Sequence, residues 1–141
     1  MSLYPELWAG GMGGVVVADR VTEFEDEPEA MRGYDVALHG GTPTEKPETY
    51  ARASPINYLG RLDAPLLIIQ GKNDVRDPPR QVELYEAKAK SLGKDVKVVW
   101  FDTGHAGSGV DVELSITHHE TMLRWIYEVL ASKSPRSHER P

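Results

Sequence analysis

The 141 residues include no cysteine. Disulfides, cysteine-ligated zinc and a cysteine nucleophile are thereby excluded. No apolar run approaches the roughly 20 residues that cross a bilayer. No basic stretch followed by an apolar segment opens the chain, so no secretory signal is read and a cytoplasmic location is expected. Positive charge is also scarce, with 16 Lys and Arg against 22 Asp and Glu for a net charge of -6. Phosphate backbones are bound by clustered Lys and Arg, so nucleic acid is not an expected partner. Repeats and low-complexity blocks are missing too. What remains is 40% hydrophobic and 27% charged, the composition of a globular domain. The length suits one domain with a modest core.

The opening MSLYPELWAG reads as the end of a longer helix. In GMGGVVVAD a glycine cluster precedes three valines, and residues 13–18 read as a short buried strand. Those glycines are not a phosphate loop, since they precede a strand and lack the Lys-Ser/Thr pair. Residues 21–39 are acidic, then helix-like, with Pro28 and acids suiting a first turn and Gly40-Gly41 a stop. Residues 41–63 read as loop with a turn or two of helix, ended at Ser54-Pro55. PLLIIQG, 65–71, is continuously apolar without alternation, which fits a parallel strand covered on both faces. Pro79 opens a helix with Val82, Tyr85, Ala89 and Leu92 at helical spacing and Gly93 as its stop. DVKVVWFD, 95–102, is a third strand, followed by a Gly-His-Ala-Gly-Ser-Gly loop. A last helix over about 114–131 presents Leu123, Ile126, Tyr127 and Leu130 as its core face, flanked by Trp125 and Val129. Residues 132–141 form a polar, basic tail that is expected to be mobile. Strands alternating with helices predict an α/β fold with three parallel strands and right-handed crossovers, spanning 1–131 as one unit.

In parallel sheets the reacting groups gather where strands end. Asp74 follows the second strand and His105 the third. Taken alone, an Asp after a strand is a turn or cap residue, and a His in a glycine-rich loop is a surface residue. Together, on neighbouring strand ends, they fit a carboxylate that orients an imidazole and stabilises its protonated form. The glycines around His105 let its loop turn tightly. His118 and His119 are adjacent, so on a helix they diverge by about 100°. They read as exposed, with His39 and His138 in loop and tail. No metal or organic cofactor is indicated.

Three blocks resemble the prolyl oligopeptidase family of serine peptidases, which have the α/β-hydrolase fold: YPELWAGGMGGVVVADR, SPINYLGRLDAPLLIIQGKNDVRDPP and WFDTGHAGSG. The resemblance covers about residues 4–131 and is to the carboxyl-terminal half of the catalytic domain, nearest the acylaminoacyl-peptidase-like and dipeptidyl-peptidase-like members. It implies that Asp74 is the triad acid and His105 the general base. It implies that Arg76 stands beside the active-site cleft and that Phe24 falls near the aromatics lining the pocket for the substrate's P1 side chain. Peptide or ester substrates follow from the same resemblance. The family often has Val-Pro after the arginine; here Asp77-Pro78 adds a charge.

The family's serine sits in a G-x-S-x-G turn, and no serine of this sequence has glycine both two before and two after it. Ser108, in AGSGV, lacks that setting. In the order Ser, Asp, His the nucleophile belongs before residue 1, together with the oxyanion-hole amides; the family's β-propeller is also absent. Loss of the nucleophile alone lowers the rate on the order of 10⁶-fold, so the chain by itself is expected to be inactive. Its open GVVVA edge and uncovered faces point to a homodimer through residues 13–18, or to a missing amino-terminal half. The alternatives are a non-catalytic α/β binding or self-association module, and a small doubly wound domain with an unrelated ligand at the strand ends.

Overall fold

The computed structural model describes residues 1–105 and 107–133. The chain begins with a single 3-10 turn, Pro5–Leu7, where the end of a longer helix was expected. Strand β1 is Gly11–Gly14, followed by helices α1 (Arg20–Asp26), α2 (Glu29–His39) and α3 (Pro47–Ala53). A 3-10 segment, Pro55–Arg61, leads into β2 (Leu66–Gly71). Then come α4 (Arg80–Ser91), β3 (Val96–Phe101), α5 (Gly107–Val110) and α6 (Val112–Lys133). The strands are parallel in the order β1-β2-β3, with Gly11 opposite Leu66 and Leu66 opposite Val96. The α/β class and parallel sheet are those read from the sequence. The expected tail begins inside α6, and residues 134–141 lie outside the described residues.

The first strand lies earlier than expected, on the glycines rather than on the valines. Val15 still donates its N–H to the Ile69 carbonyl at 2.9 Å, but its φ of 52° turns the chain out of the ladder, an uncommon conformation for a β-branched residue. Beyond it the side chain of Gln81 replaces the sheet, accepting from the Ala18 N–H and donating to the Val16 carbonyl. Close approach explains Gly10, just before the strand. A Cβ on Gly10 would stand 2.8 Å from the Trp125 ring and 2.9 Å from Val129, so α6 reaches this strand only because a side chain is missing.

β2, in the middle, is buried on both sides. Ile68 joins Leu59, Leu62, Val82, Tyr85 and Ala89 in one cluster, while Leu67 and Ile69 lie on the side under α6. A strand covered twice has no polar face, which is why its sequence does not alternate. The face of α6 differs from the expected one. Val129 is 8% exposed, whereas Leu123, Tyr127 and Leu130 are 54%, 71% and 55% exposed, and Trp125 and Ile126 are half-buried. The helix carries two apolar stripes at the same period. The gap at Gly10 selects the Trp125–Val129 stripe. Helix α1, also unexpected, is preceded by Asp19, whose carboxylate accepts from the Val21 N–H at 3.1 Å and the Thr22 hydroxyl at 2.8 Å. This is an ordinary N-cap.

Candidate active site

Asp74 lies in the loop that follows β2 and is 3% exposed. Its Oδ1 accepts from the backbone N–H groups of Arg76 at 2.9 Å and Asp77 at 3.0 Å. That pins the carboxylate and leaves Oδ2 facing Nδ1 of His105 at 3.2 Å. The two loops are stitched together by backbone bonds from the Lys72 N–H to the Phe101 carbonyl at 2.8 Å and from the Asn73 N–H to the Thr103 carbonyl at 3.0 Å. Gly71 makes the approach possible. A Cβ there would sit 2.5 Å from the Thr103 carbonyl oxygen and 3.0 Å from that of Gly104.

The structure adds a residue that sequence reasoning left without a role. Asp77 Oδ2 lies 2.9 Å from His105 Nδ1, nearer than Asp74. Its extra charge was visible in NDVRDPP. Hidden was the turn: with Asp74 accepting the Asp77 N–H, the chain folds back and aims both carboxylates at one nitrogen. Gln70 also donates from Nε2 to the Asp77 carbonyl at 3.2 Å. Together Asp74, Asp77 and His105 offer three donor atoms within 4.8 Å of one another.

Behind Asp77 lies a buried acidic group. Glu23, Glu27 and Asp35 are 2%, 3% and 2% exposed. Arg20 Nη1 meets Glu23 Oε2 at 2.9 Å and Asp35 Oδ1 at 3.6 Å. Glu27 Oε1 and Asp35 Oδ2 have no hydrogen-bond partner among the described residues. Burial pushes the Glu23 carboxyl up to about 8; Arg20 opposes this and a hydrogen bond with Asp77 adds to it. Burial, then the Asp35 charge, pushes Glu27 up to about 7. The folded chain thus holds protons that the unfolded chain releases above the ordinary carboxyl range. Stability from these groups is full below about pH 4.5 and is lost as pH rises to about 8, with a limiting slope of about 1.4 kcal/mol per pH unit for each proton. In chelator-containing buffer, Tm is expected to fall between about pH 6 and pH 8. Glu23→Gln, neutral throughout, should flatten that fall and melt higher than the parent at pH 8. Parallel profiles for the two proteins would contradict it.

The other candidates are placed differently. Arg76 is exposed and is tied to Asp74 through its backbone. Phe24 packs edge-on against Tyr50 with ring centroids 5.9 Å apart. It lines a groove with Val21, Thr42, Pro43 and Pro47, apart from the 130 Å³ cavity bordered by His105, Val15, Gly71, His118 and Met122. His118 is not exposed as expected. It packs against Phe101 with ring centroids 3.8 Å apart, and burial lowers its pKa. His39 ends α2 rather than lying in a loop, and its ring stacks on Tyr50 at 4.3 Å.

Parallel strands whose carboxyl ends bring a buried carboxylate to an imidazole are an α/β-hydrolase arrangement. The model of the prolyl oligopeptidase family matches residues 1–133, and the chain belongs to that family. An uncharacterised peptidase of Bacillus subtilis, YtmA, is 30% identical over 87 residues, covering 62% of this chain and 34% of that protein. The acylaminoacyl peptidase of Pyrococcus horikoshii superposes with a TM-score of 0.68 at 27% identity, over 74% of this chain and 17% of that one. Dipeptidyl peptidase 4 of Porphyromonas gingivalis shares the fold, with a TM-score of 0.62 at 17% identity over 85% and 16% of the two chains. The 141 residues therefore span about a third of the curated relative and about a sixth of these solved structures. Among the described residues no helix is long and apolar enough to cross a membrane.

Proposed function

We propose that this chain supplies the acid and the general base of a serine-type peptidase or esterase. His105 takes the proton of a serine hydroxyl and returns it to the leaving group. Asp74 holds the ring with its proton on Nδ1 and stabilises the imidazolium. The observation that carries the reading is the Asp74–His105 contact, at 3.2 Å between atoms positioned by two different strand ends. Membership of the family supports it. The serine and the oxyanion amides come from polypeptide other than these 141 residues. Arg76 is the exposed cationic neighbour of the cleft, and Phe24 contributes to a more distant substrate contact.

A second reading, self-association, is favoured by β1. It is one of the two outer strands of the sheet, and its far side pairs with no strand among the described residues. The available edge is residues 11–14, not the expected 13–18. One preparation tests both readings. At micromolar concentration the chain alone is expected to scatter light as a dimer and to turn over neither aminoacyl nor ester chromogenic substrates. A monomer would count against the edge pairing. Turnover abolished by His105→Ala would show that no further serine is required.

A further inference from the structure

We propose that Asp74, Asp77 and His105 form a binding site for a divalent transition-metal ion such as zinc. The three donor atoms lie within 4.8 Å of one another, with His105 Nδ1 3.2 Å from Asp74 Oδ2 and 2.9 Å from Asp77 Oδ2. Zinc bonds to nitrogen and oxygen of about 2.0–2.2 Å put neighbouring donors about 2.9 Å apart at a right angle and about 3.4 Å apart at a tetrahedral one. Both separations from His105 fall in that range, and the two carboxylate oxygens lie within 4.8 Å of each other, a gap that bonds to one ion would close. A neutral imidazole has only one Nδ1 proton to share between two carboxylates. A dication takes a bond from each carboxylate and from the nitrogen lone pair, and cancels both negative charges.

The surroundings support a cation. Asp74 is already oriented by the Arg76 and Asp77 amides on its other oxygen, the outer-shell bonding that aims a metal ligand. His105 is 34% exposed at the side chain, which leaves the site open to solvent. Mixed imidazole and carboxylate donors suit zinc and its first-row neighbours. Coordination through Nδ1 moves the ring's proton to Nε2, so the metal-bound ring cannot accept a proton there. Metal and general-base work would therefore exclude each other. Binding itself does not depend on the peptidase reading.

Titration calorimetry of the full chain with zinc chloride in a non-chelating buffer tests the site. One ion per chain is expected, and Asp77→Asn and His105→Ala should each weaken binding about tenfold or more. No saturable binding, or a smaller loss in either folded variant, would overturn the proposal and place any bound zinc elsewhere, such as at His119 or His138. Should a variant fail to fold by circular dichroism, the parent decides. Its cobalt(II) complex is expected to show the intense visible bands of low coordination, bleached by zinc, and the weak spectrum of aqueous cobalt would overturn the site.

Discussion

In a polypeptide that carries the serine turn as well as this chain, His105→Ala is expected to lower kcat on the order of 10⁶-fold and Asp74→Asn on the order of 10⁴-fold. The two numbers differ for a physical reason. Without the imidazole, nothing takes the serine proton. Without the Asp74 charge, the imidazole remains but favours the wrong tautomer and loses stabilisation once protonated. Asp77 makes the comparison sharper, because it also lies within reach of Nδ1. Asp74 is the better orienting acid, since its side chain is wholly buried and fixed by two amides, while that of Asp77 is 14% exposed. Asp77→Asn should therefore cost less activity than Asp74→Asn. The reverse ranking in steady-state kinetics would make Asp77 the orienting acid.

Gly71→Ala should damage both fold and site. The added methyl would sit 2.5 Å from one backbone carbonyl oxygen and 3.0 Å from the next, and backbone cannot swing aside as a flexible side chain does. The His105 loop must lift, straining the bonds from Lys72 and Asn73 to the opposite strand end. Overpacking and weakened backbone hydrogen bonds together suggest a loss of about 3 kcal/mol, or roughly 10 °C in Tm for a domain of this size. Gly14→Ala is the control, since a Cβ there meets nothing within 4 Å, and it should stay within about 0.5 kcal/mol of the parent. Equal melting of the two variants would mean that the loops are not as closely apposed as these distances say.

Much of the frame was legible because burial leaves a simple signature. PLLIIQG is apolar throughout because β2 is covered on both sides. Val82, Tyr85 and Ala89 recur at helical spacing because α4 buries one stripe. Asp74 and His105 were legible as residues placed after neighbouring strands, where the structure brings them together. What was not legible depends on contacts made elsewhere in the chain. The valines at 15–17 favour a strand locally, yet the ladder uses Gly11–Gly14 and Val15 turns out of it, while α6 packs where Gly10 leaves space. The inward face of α6 is decided at the same contact, so period alone chose Leu123 and Tyr127 wrongly. Asp77 read as an added charge because its approach to His105 depends on a turn capped by Asp74. The buried Glu23, Glu27 and Asp35 read only as part of an acidic, then helix-like stretch, since nothing local marks them as enclosed.

The proton between Asp74 and His105 decides the proposed chemistry most directly. Nitrogen-15 NMR of the His105 ring, in chelator-containing buffer, reads its position. The expected result is a neutral ring protonated on Nδ1 with Nε2 bare, and a low-field Nδ1 proton that Asp74→Asn displaces or removes. A proton on Nε2 with Nδ1 bare, or an Nδ1 proton indifferent to Asp74→Asn, would contradict it.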